Sequence, residues 1–191
     1  FNLIVSGGED EYLVMWAVES CKEHHRMKTG GLKIGSICYL RKIRKIAVGF
    51  DKGHVNIIHI DQHTRKIKYT LPAHSNMVFN LHALEDENIL FSGSDDGKIK
   101  AWKIMENYAE CLMTISQRTI GVTSFAVIPT SDLILANYNN SHLKMWRLST
   151  GQLIGDFEDK TFGEALVYMK DRDEIITARQ NEIKVWSIFE L

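Results

Sequence analysis

Residues 89–104 read ILFSGSDDGKIKAWKI, and this stretch decides the fold. An apolar run, Ile89-Leu90-Phe91, meets a turn-forming Ser-Gly-Ser-Asp-Asp-Gly. Beyond it Ile99, Ala101 and Trp102 are interleaved with Lys98, Lys100 and Lys103. Alternation at period two puts one face of a strand in a core, and the turn residues let the chain reverse, so the stretch predicts a β-hairpin. Working outward, four more segments superpose on it: LIVSGGEDEYLVMWAV ending at Val18, IAVGFDKGHVNIIHI ending at Ile60, LILANYNNSHLKMWRL ending at Leu148 and EIITARQNEIKVWSI ending at Ile188. Their anchors Trp16, Ile58, Trp102, Trp146 and Trp186 are 42, 44, 44 and 40 residues apart. Further short strand candidates lie between the hairpins, Tyr69-Thr70-Leu71 closing one and Val78-Phe79-Asn80-Leu81 opening the next. Four strands per period of about 40–45 residues is the arithmetic of a propeller blade.

The composition agrees with a folded globular chain. Of 191 residues 45% are hydrophobic and 25% charged, and 23 Lys+Arg against 24 Asp+Glu leave a net charge of −1. Such a balance supplies no bulk attraction to nucleic acid or an anionic membrane. No uncharged apolar stretch reaches the roughly 18 residues of a membrane span. The opening FNLIVSGGEDEYLVMW has no basic, apolar and cleavage regions of a secretory signal. Cys21, Cys38 and Cys111 lack metal-ligand spacing; they read as isolated packing thiols in a reducing compartment. The expected location is intracellular, in the cytoplasm with the nucleus as the other possibility.

Phe91-Ser92-Gly93-Ser94-Asp95-Asp96-Gly97, followed by Ile99, Ala101 and Trp102, resembles the second hairpin of a WD-repeat β-propeller blade. Ala73-His74 stands where that family carries Gly-His. The resemblance implies a buried tetrad of His, Ser or Thr, Asp and Trp, which falls here on His74, Ser92, Asp96 and Trp102. Ser6, Asp10 and Trp16 repeat the same offsets, ten and six residues before the tryptophan. A buried carboxylate needs a partner, and an imidazole between hydroxyl and carboxylate satisfies both. The pattern decays elsewhere. Ala17, Lys103, Arg147 and Ser187 replace the Asp after each Trp, Ile58 and Lys52 replace Trp and Asp in the second repeat, and Asn140 replaces Asp in the fourth. The fifth repeat is one residue short near Gln180-Asn181.

The resemblance implies an all-β WD-repeat-like propeller, a single domain over residues 1–191. Its blade repeats fall at 1–28, 29–72, 73–116, 117–158 and 159–191. Strand counting gives 18 strands, about four and a half blades of four-stranded antiparallel sheets. That number leaves strand edges open, so the expectation is the C-terminal part of a seven-bladed ring. The rim formed by turns between second and third strands, with the inter-blade loops, is the face such propellers present to peptides and proteins. On it lie Glu9, Asp51, Asp95, Asn139 and Gln180, with Arg118, Lys160 and Arg179 beside them. An acidic and a basic sector would orient a charged partner, while acidic turn residues also simply make good turns.

Other candidates have plainer readings. Ser, His and Asp together suggest a hydrolytic triad, but the blade network accounts for them, so no catalytic residue is assigned. Residues 22–28, KEHHRMK, offer adjacent histidines without a third ligand and read as a solvated outer strand rather than a metal site. Gly7-Gly8 and Gly30-Gly31 precede no helix and make no phosphate loop. Arg41-Lys42-Ile43-Arg44-Lys45 carries four charges in five residues and reads as a solvated hairpin tip, with nucleic acid or an acidic partner as the alternative. The expectation is a non-catalytic protein–protein interaction scaffold, a complex subunit with no cofactor or metal. Its partners are proteins or peptides rather than nucleic acid, membrane or a small-molecule substrate. The alternative is a substrate- or peptide-recognition module attached to an enzyme, such as a ubiquitin ligase or kinase, whose catalytic part lies outside this chain.

Overall fold

The computed structural model describes residues 2–60, 65–84, 87–116 and 120–188. They hold eighteen strands and two single-turn 3-10 helices, Arg41–Ile43 and Pro129–Ser131. The first sheet contains β1 (Leu3–Gly7), β2 (Tyr12–Ala17) and β3 (Lys22–Lys28). The second contains β4 (Ile34–Leu40), β5 (Lys45–Phe50), β6 (His54–Ile60) and β7 (Arg65–Pro72). The third contains β8 (Val78–Leu84), β9 (Ile89–Ser94), β10 (Lys98–Ile104) and β11 (Ala109–Ser116). In the fourth are β12 (Val122–Ile128), β13 (Leu133–Tyr138), β14 (His142–Arg147) and β15 (Leu153–Glu158). The fifth has β16 (Ala165–Met169), β17 (Glu174–Arg179) and β18 (Glu182–Ser187). Each sheet meanders in chain order, so the all-β reading and its sheets of three or four strands hold.

By packing, the chain divides into two compact units, residues 1–92 with 102–110 and residues 93–101 with 111–191. In the first unit β5 is buried along its whole length because alternate residues feed two cores. Ile46, Val48 and Phe50 pack with Leu13, Met15, Ile34 and Ile58. On the other face Ala47 packs with Leu40, Ile57, Leu71, Val78, Leu81, Leu90 and Trp102. This is the period-two pattern of a strand apolar on both sides. In the second unit Ala126, Ile128, Leu133, Leu135 and Leu143 pack with Phe162, Leu166 and Ile175.

The hairpin turns repeat a backbone solution. Between β1 and β2, β5 and β6, β9 and β10, β13 and β14, and β17 and β18, a residue with left-handed φ stands at Glu11 (65°), Gly53 (80°), Gly97 (77°), Ser141 (64°) and Gln180 (53°). Between β4 and β5, β8 and β9, β12 and β13, and β16 and β17, Arg44, Asn88, Asp132 and Asp173 do the same, with φ of 51–57°. Only glycine adopts this region without a Cβ penalty, so the non-glycine positions hold because packed strands on both sides impose the turn. At Gly53 a Cβ would also collide with the His74 carbonyl oxygen.

Two expectations are corrected. Cys21 and Cys111 are exposed rather than packed, because one lies in the turn after β2 and the other on the outer strand β11. The basic run is not wholly a solvated tip: Arg41, Lys42 and Arg44 are exposed, but Lys45 is only 1% exposed. Position 45 opens β5 and shares the inward face of Ala47.

Candidate functional site

In the third repeat Ser92 is fully buried on β9. Its hydroxyl accepts the Trp102 indole N–H at 2.9 Å and lies 2.8 Å from His74 Nε2. Asp96 Oδ1 accepts the Lys98 amide N–H at 3.0 Å, and the Asp96 N–H donates to Ser94 Oγ. In the first repeat Trp16 Nε1 donates to Ser6 Oγ at 2.8 Å, and Asp10 Oδ1 accepts the Tyr12 N–H at 3.3 Å. Strand register explains the reach. Ile4 pairs with Trp16 and Ser6 with Val14, so Ser6 and Trp16 are diagonal neighbours on one face. Where β2 pairs with β3, β6 with β7 and β14 with β15, a register shift falls at Trp16, Ile58 and Trp146. Such a bulge re-aims the side chain.

The fifth repeat carries a version of the tie that the sequence did not disclose. Trp186 Nε1 donates to Thr177 Oγ1 at 2.8 Å, and Thr177 Oγ1 lies 3.3 Å from Thr161 Oγ1. Thr161 in turn donates to Asp159 Oδ1 at 2.8 Å, and Lys184 Nζ reaches Asp159 Oδ2 at 2.6 Å. Ile175 pairs with Trp186 and Thr177 with Lys184, the same diagonal across a turn one residue shorter. In the second repeat Val48 and Ile58 replace hydroxyl and indole together, so neither member of that pair is left without the other. In the fourth, Trp146 packs against Tyr138 with ring centroids 6.0 Å apart.

The rim positions make ties within each unit. In the first, Lys33 Nζ lies 3.3 Å from Glu9 Oε2, and the Asp51 N–H donates to the Lys33 carbonyl at 3.0 Å. In the second, Asn139 Nδ2 donates to Asp95 Oδ1 at 3.4 Å, and Lys160 pairs with Glu182 at 2.6 Å. The Gln180 N–H donates to Glu164 Oε2 at 3.0 Å. Arg179 donates to Ser141 Oγ and, at 3.4 Å, to the Phe162 carbonyl. Arg118 lies outside the described residues. Lys33, Ser141, Glu164 and Glu182 were not legible as members, since each partner is far away in the chain.

Two carboxylates report local fields. The Lys184 hydrogen bond, aided by Thr161, holds Asp159 down at about 2 despite partial burial. Hydrogen bonds from Lys45 and Lys68 lower Glu106. A depressed carboxylate stabilises the fold above its unfolded pKa and loses that contribution as the proton returns. Asp159 should therefore contribute fully above about pH 4 and lose its contribution toward about pH 2. The thermal midpoint should fall over that range, and less steeply for Asp159→Asn; identical acid slopes would contradict this.

The WD domain, G-beta repeat family matches residues 65–103, the segment holding His74, Ser92, Asp96 and Trp102. The chain is similar to WD-repeat proteins. Among curated relatives, pre-mRNA-processing factor 19 of Bos taurus is 21% identical over 170 residues, 87% of this chain and 33% of the relative. The Mus musculus protein of the same name matches equally. Periodic tryptophan protein 2 of Arabidopsis thaliana is 27% identical over 123 residues, 63% of this chain and 13% of the relative. The chain thus spans about a third of the length of the first of these relatives. WD repeats support a protein-interaction module.

Proposed function

We propose that this chain is a non-catalytic interaction scaffold, a complex subunit that presents loop surfaces to partner proteins. The observation that carries the reading is the fully buried Ser92 hydroxyl, engaged by Trp102 and His74. A nucleophile must meet its substrate, and this hydroxyl is spent inside the sheet instead. His74, Ser92, Asp96 and Trp102, with Ser6, Asp10 and Trp16, act as structural members. They leave chemistry for a partner on the loops, where Glu9 and Asp51 serve in the first unit. In the second, Asp95, Asn139, Lys160, Arg179 and Gln180 do so. The likeness to pre-mRNA-processing factor 19 supports an assembly that handles pre-mRNA as the setting, inside the cell.

The test is made on the full-length natural protein carrying an affinity tag. It should be recovered with partner proteins in stoichiometric amounts, at a native size above its own. Migration as a free monomer would overturn the reading. So would a hydrolytic turnover that disappears in Ser92→Ala while thermal stability is kept.

A further inference from the structure

We propose that the open edge of β11, over residues 111–116, pairs with the same edge of a second copy of this chain, antiparallel and across a two-fold axis. The inference goes beyond the scaffold reading and does not rest on it. Among the described residues β10 is the one neighbour of β11 in its sheet. A strand paired on one side offers a row of backbone N–H and C=O groups on the other, which templates a further strand. The strand is held in place. Ile115 is buried, and a Cβ at Gly151, in the turn before β15, would stand 3.4 Å from Met113 Sδ and 3.9 Å from Ile115 Cγ1. A pre-organised edge loses little entropy on binding.

The last strands of the other sheets carry the devices that discourage such pairing. Charged side chains, Lys above all, and Pro blunt an edge. β3 has Lys22, Glu23, Arg26 and Lys28, and β7 has Arg65, Lys66 and Lys68 and ends at Pro72. β15 has Asp156 and Glu158, and β18 has Glu182 and Lys184. Residues 111–116 read CLMTIS, with no charge, no Pro and no Gly. Burial does not explain the contrast, because Cys111, Leu112, Thr114 and Ser116 are exposed, Leu112 at 50%.

The same composition says what the edge accepts. Backbone bonds alone would take any extended segment, but a charged strand would lose solvation beside Leu112 and find no counter-ion in 111–116. The edge therefore selects an uncharged, proline-free strand, and residues 111–116 are one. Two copies meeting antiparallel are self-complementary, since each residue i that meets j is matched by j meeting i. The pairing uses up both edges, so assembly closes at two rather than growing into a fibre. Alternation puts Leu112 and Thr114 on one face, where side chains of the second copy's strand lie beside them. One strand pair covers less than the roughly 1,200 Å² of a standard interface, so the dimer is weak and depends on concentration.

Sedimentation velocity of the full chain tests this, with reductant present so that exposed Cys111 forms no disulfide. The chain, 21.9 kDa, should shift toward twice that mass as its concentration rises into the high micromolar range. Leu112→Lys/Thr114→Lys, at two exposed positions, should raise the dimer dissociation constant at least tenfold while the thermal midpoint is kept. Leu153→Lys/Ile154→Lys, also exposed but on the already charged β15, should change it less than about twofold. A peptide of residues 110–116 carrying Cys111→Ser should return wild type to monomer, and the same peptide with Leu112→Lys should not. A wild type that stays monomeric, undiminished association by Leu112→Lys/Thr114→Lys, or loss in the β15 variant alone would overturn the proposal. So would association that grows beyond two copies. None of these results bears on the recovery of other proteins, so the scaffold reading stands or falls separately.

Discussion

Replacing Trp102 by alanine should cost about 3–5 kcal/mol from the cavity alone. A further 1–3 kcal/mol or so is expected because the buried Ser92 hydroxyl loses its indole donor. Trp102 is 8% exposed and belongs to the core that joins Leu40, Ala47, Ile57, Val78 and Leu90, so the space it leaves cannot fill with water at no cost. Trp102→Phe separates the two parts. It keeps most of the ring volume and removes the N–H that reaches Ser92 at 2.9 Å, so only the hydrogen-bond share, about 1–2 kcal/mol, should be lost. His74→Ala should fall in the same range. The comparison residue is Trp16, which makes the same tie to Ser6 at 2.8 Å but is only partly buried, and its alanine variant should cost clearly less. Denaturation midpoints of the four variants check the ordering. If Trp102→Phe and His74→Ala both left the midpoint unmoved, Ser92 would not be the hub of this blade.

How far the sequence disclosed this arrangement depended on how local each interaction is. The hairpins were legible because strand alternation and turn residues are properties of about fifteen consecutive positions. The Ser6–Trp16 and Ser92–Trp102 ties were visible for the same reason, since one hairpin fixes both partners at a spacing of ten. Thr177 escaped that reading because the fifth hairpin is one residue shorter, which moves the hydroxyl to nine before Trp186. Thr161 approaches Thr177 as His74 approaches Ser92, so residue type concealed it as well. The rim ties were hidden by distance: Arg179 meets Ser141 across 38 residues, and Lys33 meets Glu9 across 24. Charge at a turn tip predicts exposure only when no other loop packs over it, and Lys45 shows the failure.

Lys45 leads to the second large effect. Its ammonium donates to the Glu106 carbonyl at 3.1 Å and to Glu106 Oε2 at 3.2 Å. Lys68 Nζ lies 3.3 Å from the other carboxylate oxygen, and the Tyr69 hydroxyl donates to the Met105 carbonyl at 3.0 Å. Three side chains of the second sheet thus hold the turn that follows β10. The stem of Lys45 fills core space beside its charge, so Lys45→Ala should cost about 2–5 kcal/mol, as for other large-to-small changes at buried sites. Lys45→Met keeps the stem and removes the buried ion, and replacing a buried ion by an apolar residue of similar volume is near neutral. It should stay within about 1 kcal/mol of wild type. Glu106→Ala should destabilise more than Lys45→Met, because the ammonium stays buried with only a carbonyl for company. In the Lys45→Met background the same Glu106→Ala change should cost much less, since no buried ammonium remains. Lys68→Ala, at a partly exposed pair, should change little. Urea denaturation of the five variants tests the scheme. Equal losses for Lys45→Met and Lys45→Ala would mean that the ion pair, rather than the packed stem, holds this turn to the second sheet.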